Sequence, residues 1–146
     1  MRTIRYHVAS VLGIALAAAT FNARAQVVLS VDFNHSSNPG LTMPGFEAFV
    51  IDAAGATPVA RTYGSFTVTL TGSGANYDSR VRATPADSGD FTQSLLLRDF
   101  VFANSTTTGT GLDLLVQGLT SGTTYRFTIW SYDNTSTGNR VSDWSA

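Results

Sequence analysis

The residues of this chain that could do chemistry are few, and most of them sit in polar, turn-rich stretches. Beyond residue 25 there is one histidine, His35, in Asn34-His35-Ser36-Ser37. A serine hydrolase needs that base oriented by an acid and facing a nucleophile on a strained turn. No Gly-x-Ser-x-Gly occurs, and Asp32 lies too near His35 in sequence to fix its orientation. Glycoside hydrolysis needs two carboxyl groups across a cleft, one with a raised pKa. Asp87 with Asp90, or Asp78 with Asp99, are the pairs on offer, and loop aspartates ordinarily form turns. The expectation is a protein that is not an enzyme. The same loop residues suit a hard cation better. Asp87-Ser88-Gly89-Asp90 places two carboxylates around a glycine, a spacing open to calcium, though short of a full EF-hand loop. There is no cysteine, so a thiolate metal site, a cysteine nucleophile and a disulfide framework are all excluded.

Sugar binding is the remaining chemistry. An exposed aromatic ring offers an apolar platform to the C–H face of a sugar, and arginine or aspartate can hydrogen-bond its hydroxyls. Trp130 and Tyr132, on the strand face shared with Arg126, are the candidate platform, with Arg80 and Arg82 from a polar segment as further contacts. Two bland readings stand beside this. That face could be covered by neighbouring strands, and Arg98-Asp99 with Arg80 and Arg82 could be structural ion pairs.

The elements that would position these residues are strands. Thr, Ser and Gly are abundant, glutamate occurs once, and no window carries a helical apolar stripe. Leu112 to Asp133 reads as a hairpin around Gly118-Leu119-Thr120-Ser121-Gly122, with Tyr125, Phe127 and Ile129 on the buried face of its second strand. Further strands are expected over 26–33, 46–51, 65–70 and 94–103, the last covered on both faces. Residues 75–93 read as a long polar loop, and 140–146 as the opening of one more strand. The predicted class is all-β: an antiparallel β-sandwich or jelly roll.

Residues 1–25 carry the marks of an export signal: Arg2, Arg5 and His7, an apolar run from Val8 to Ala19, and Ala23-Arg24-Ala25 as a cleavage site. The run is too short to span a bilayer. Removing it takes three arginines, which leaves six against ten acids, a net charge of −4, and no lysine. Such a balance argues against nucleic acid as a partner. The expectation is one exported domain over 26–146, without a membrane span, at the cell surface or secreted.

Several stretches taken together resemble galactose-binding-like (malectin-like) jelly-roll domains of exported bacterial polysaccharide-active and surface proteins. They are Val31-Asp32-Phe33, Pro44-Gly45-Phe46, Asp78-Ser79-Arg80-Val81-Arg82, Leu96-Leu97-Arg98-Asp99-Phe100-Val101-Phe102 and Leu112 to Asp133. The resemblance implies a non-catalytic module that binds polysaccharide or packs against other surface proteins. It also implies further strands after Ser136 to Trp144, so that the chain would be a domain lacking its C-terminal strands. Leu119-Thr120-Ser121-Gly122-Thr123-Thr124-Tyr125 is similar, instead, to the turn and tyrosine corner of fibronectin type III domains, which implies a structural spacer without ligand.

Overall fold

In a computed structural model of the chain, which describes residues 26–52, 54–131 and 133, regular structure is almost wholly β. Seven strands follow in order: β1 (Val31–His35), β2 (Glu47–Ile51), β3 (Val59–Tyr63), β4 (Phe66–Ser73), β5 (Tyr77–Val81), β6 (Asp99–Ala103) and β7 (Gly111–Gln117). One 3-10 turn, Ser94–Leu97, precedes β6. The strands form three small sheets: β1 with β2, β3-β4-β7, and β5 with β6. All pairings are antiparallel except β1 with β2, which run parallel from Val31 opposite Glu47 to His35 opposite Ile51.

Period-2 alternation explains how three sheets share one core. Phe49 and Ile51 point inward from β2, Val68 and Leu70 from β4, and Tyr77 from β5; all five are buried together. Val31 and Phe33 from β1, Val101 from β6, and Leu112 and Val116 from β7 pack around them, so each sheet contributes a second strand. Each fully buried aliphatic or aromatic side chain contributes about 1.5–3 kcal/mol. Side chains also join the sheets. Tyr63 Oη donates to the carbonyl of Ala48 at 2.8 Å and Arg61 Nη2 to that of Val50 at 3.1 Å. Two alternate residues of β3 thereby cover two alternate carbonyls of β2. A free strand edge invites foreign pairing, and this cover blocks it. Burial of the Tyr63 hydroxyl raises its pKa to about 12.

The sequence places β2 and the start of β4, which runs on through the expected turn to Ser73, and misplaces other elements. The expected hairpin across 112–133 does not form. β7 exists, but it pairs with β4, from Thr67 opposite Gln117 to Ser73 opposite Gly111. Residues 123–131 form no strand, and Phe127 and Ile129, expected inside, are 58% and 53% exposed. The physical reason begins at Gly118. Its φ is +90°, and a Cβ there would lie 2.0 Å from the carbonyl oxygen of Ser65. The chain therefore leaves β7 pressed against the β3–β4 turn. Alternation tells which faces a strand would present, not whether an edge is there to pair with.

Three further corrections are smaller. The first strand begins at Val31, and Val27 and Val28 lie exposed ahead of it. The polar segment 75–93 opens with β5, whose Tyr77 and Ser79 are buried. The run 94–103 is not one strand: Leu96 N–H donates to Gln93 O and Arg98 N–H to Leu95 O, i→i−3 bonds that coil the leucines before β6 starts. Three successive leucines suit a helical turn better than a pleated edge. β3 went unread. Its hairpin to β4 turns on Gly64-Ser65, with Gly64 at φ +58°, the residue order of a type II′ turn. The expected export signal (1–25), Tyr132 and the expected last strand (140–146) lie outside the described residues.

Candidate functional site

Two polar groupings stand out, on opposite faces of the β5–β6 ladder. The inner one lies between β1 and β6. Asp32 and Asn34 alternate inward from β1, and Arg98 and Asp99 close over them at the start of β6; each is at most 4% exposed. Asp32 Oδ2 accepts the N–H of Met43 at 2.8 Å, and Asn34 Nδ2 donates to the Asp32 carbonyl at 2.9 Å and to Thr42 Oγ1 at 3.3 Å. These bonds tie down the crossover loop that carries the chain from β1 to its parallel neighbour β2. Asp99 Oδ2 accepts the backbone N–H of His35 at 2.9 Å.

Arg98 Nη2 comes within 2.9 Å of Asp99 Oδ1, an ion-pair distance, yet the approach is off the hydrogen-bonding axis. Arg98 Nε and Nη2, Asp99 Oδ1 and Asn34 Oδ1 are left buried without a hydrogen-bond partner. Burial raises the pKa of Asp32 above the ordinary 3.8; the Met43 N–H opposes this, the Asp99 charge adds to it, and the Arg98 charge opposes it. Asp99 is raised for the same first reason, against the His35 N–H and the charges of Arg98 and His35. This grouping is arranged for holding strands and loop together. His35 Nδ1 meets Ser37 Oγ at 2.9 Å, which resembles a nucleophile–base pair. However, Nδ1 also accepts the Ser37 backbone N–H at 3.1 Å, and the only Asp99 bond to His35 is to its backbone. A triad acid would orient the ring.

The outer grouping follows from alternation on the same two strands. With Tyr77 and Ser79 inward, Asp78, Arg80 and Arg82 face out from β5 and its end. Phe100 and Phe102 face out from β6. Arg80 opposes Phe100 in register, and its guanidinium reaches diagonally over the Phe102 ring, 4.8 Å from the centroid. Arg82 lies 5.5 Å over the Phe100 ring, and the two rings are 5.8 Å apart. The result is a patch of two guanidinium groups laid on two phenyl rings. Arg82 is further held by Asp133, Nε to Oδ1 at 2.9 Å and Nη2 to Oδ2 at 3.4 Å. Arg80 is exposed and has no carboxylate within ion-pair distance among the described residues. Asp78 shares its face, but the Asp78 carboxylate is turned back onto the Ser79 N–H at 2.8 Å.

Of the residues expected to bind sugar, Arg80 and Arg82 therefore stand together. Trp130 is 42% exposed and meets Phe46 edge-on, with centroids 6.0 Å apart. Its segment is joined to the patch through the Arg82–Asp133 bridge, three residues beyond it. Arg126 is exposed. The strand that was to align Arg126 with Trp130 is absent, so no common strand face carries them. Asp87 accepts the Ser94 N–H at 3.2 Å, at the entry to the 3-10 turn, and Asp90 is exposed beyond the tight Ser88–Phe91 bridge. Among the described residues no group of three or more His, Cys, Asp or Glu side chains could hold a metal. Sequence reasoning missed Phe100 and Phe102; the legible sign was their two-residue spacing opposite that of Arg80 and Arg82. Asn34 was missed as well, although Asp32-x-Asn34 on one strand must share a face. In the turn after β7, Tyr125 Oη accepts the Thr120 N–H at 2.9 Å, and hydrogen bonds from Thr120 hold its pKa below the usual phenol range. This is a bond back to upstream backbone, without the strand expected to carry it.

No protein-family model, no curated protein and no solved structure matches this chain. Among the described residues, no helix is long and apolar enough to cross a membrane.

Proposed function

We propose that the chain is an exported, non-catalytic β-sandwich module of a surface or secreted protein, of the galactose-binding-like kind, that contacts polysaccharide. The observation that carries the reading is the outward patch of Arg80, Arg82, Phe100 and Phe102. Stacking on a ring holds a guanidinium's orientation while its N–H edge stays open to oxygen acceptors. Binding then orders fewer rotamers than a free surface arginine would require. The exposed Trp130 ring adds apolar surface on a segment tied to the same patch. Against an enzyme stands the engagement of both His35 and Asp99 in backbone bonds.

A fibronectin-like spacer without ligand is the second reading, and the Arg82–Asp133 bridge favours it, because that arginine fastens the segment after β7. Affinity electrophoresis of the full chain through gels containing neutral and acidic polysaccharides tests the two. Retardation in at least one gel, abolished when Arg80 and Trp130 are both replaced by alanine while the chain still melts cooperatively, supports polysaccharide contact. Unretarded migration in every gel supports the spacer.

A further inference from the structure

The patch has a polarity that names the kind of glycan. We infer that Arg80 is the anchor for an acidic group, a carboxylate or sulfate ester, on a polysaccharide chain; this rests on the polysaccharide-contact reading. Among the described residues Arg80 lacks an acidic partner. Each other arginine of the two central groupings meets an acid: Arg98 meets Asp99 and Arg82 meets Asp133. Among the described residues Arg80 meets the Phe102 ring, which holds one face of the guanidinium plane, and no carboxylate fills the donors along its edge. A planar fork of that kind matches the two oxygens of a carboxylate or sulfate, and such charge-assisted pairs are the strong ones.

The surroundings suit a sugar acid better than a bare anion. Arg80 and Phe102 line a shallow depression with Ala103, Asn104, Ser105 and Thr106. In it the Ser105 hydroxyl accepts the Thr107 N–H at 3.0 Å. Among the described residues no hydrogen bond engages the side chains of Asn104 and Thr106, which line the same depression and can hydrogen-bond hydroxyls. One cation, one ring face and neutral hydrogen-bonding groups make a site for one acidic sugar unit of a chain, not for a run of phosphates such as nucleic acid, which requires clustered basic residues. Ten acids against six arginines over 26–146 repel long acidic chains in general, so attraction must be local. Asp78, two residues before Arg80 on β5, stands on the same face.

Isothermal titration of the full chain with oligogalacturonate, its fully methyl-esterified counterpart and sodium sulfate tests this. Binding of the acid but not the ester is expected, weakened about tenfold or more by Arg80→Gln. Arg80→Lys should restore only part, since charge returns without the fork. Asp78→Asn should tighten binding. Equal binding of acid and ester would overturn the acidic-group inference and leave polysaccharide contact standing. Sulfate competing at the same concentration as the oligomer would reduce the site to a simple anion site and overturn the sugar component. Binding of the acid that survives Arg80→Gln would place the anchor elsewhere. If neither oligomer binds and the gels retard nothing, the polysaccharide reading itself falls.

Discussion

The two faces of the β5–β6 ladder use the same residue type in opposite ways. On the inner face Arg98, 4% exposed, is enclosed with Asp99 and Asp32, with two nitrogens lacking hydrogen bonds. On the outer face Arg80 lies on a ring in contact with solvent. A buried guanidinium is committed to its partner, because separating the pair leaves an uncompensated charge in a poor solvent. A stacked, exposed one contributes little to folding and remains available. Burial, not residue identity, separates an arginine that holds the fold from one that can recognise something.

The sharpest way to break this contrast is to remove the inner arginine. Arg98→Met should lower stability by about 3–5 kcal/mol in urea titration at neutral pH, as for other broken buried pairs. Arg98→Met with Asp99→Asn should recover much of that. If the single variant costs under about 1 kcal/mol, the inner pair is no more structural than the outer patch. Acidity sharpens the same point. Asp32 and Asp99 have pKa values raised above 3.8 in the folded chain, so the fold holds their protons more tightly than the unfolded chain does. Their contribution is fully present below about pH 3.8 and is lost as pH rises through the raised values. The Arg98→Met penalty should therefore shrink as pH falls, and Asp32→Asn should flatten the loss of stability as pH rises above about 3.8. A steeper slope in that variant would contradict the burial argument.

Arg82 stands between the two cases. It is stacked like Arg80 but bridged to Asp133, with the two side chains 19% and 12% exposed. Arg82→Gln should cost about 1.5–3 kcal/mol, the range for hydrogen bonds to charged groups. Limited proteolysis should then cut first in the segment between Gly118 and Asp133. An unchanged cleavage pattern would show that the bridge does not fasten that segment.

How much of this was legible follows from the kind of information each feature needs. The strands of the core, β2 and β4, carry their own alternation in Phe49-x-Ile51 and Phe66-x-Val68-x-Leu70, and local pattern sufficed. The partner of β7 was not legible. Its pairing with β4 joins residues 38 to 50 apart in sequence, from Ser73 with Gly111 to Thr67 with Gln117, while the nearer Tyr125-x-Phe127-x-Ile129 offered a better-looking strand. Gly118 decided between them through a close approach to Ser65 that no spacing announces. Arg80 and Arg82 were legible as candidates because arginine in a polar run suggests binding. Phe100 and Phe102 were absorbed into an expected core strand, and only the register of β5 on β6 turns them outward.

Trp130 should be the next smaller effect. Its edge contact with Phe46 is of a kind worth about 0.5–1.5 kcal/mol, and Trp130→Ala should cost no more than that. A larger loss would make the ring part of the core and remove it from the outer surface.

The smallest effect on folding is expected at Arg80, and it is the most telling. Exposed stacking of a cation on a ring contributes about 0.5–1 kcal/mol, and Arg80 has no ion pair among the described residues to add to it. Arg80→Gln should thus leave the urea midpoint within that margin while Arg98→Met moves it several-fold further. If Arg80→Gln destabilised the chain as much as Arg82→Gln, the guanidinium would be holding β5 against β6, and its open donors would be incidental. A near-silent variant is what an arginine kept for contact requires, because a side chain the fold depends on cannot turn toward a ligand without loosening the strands beneath it.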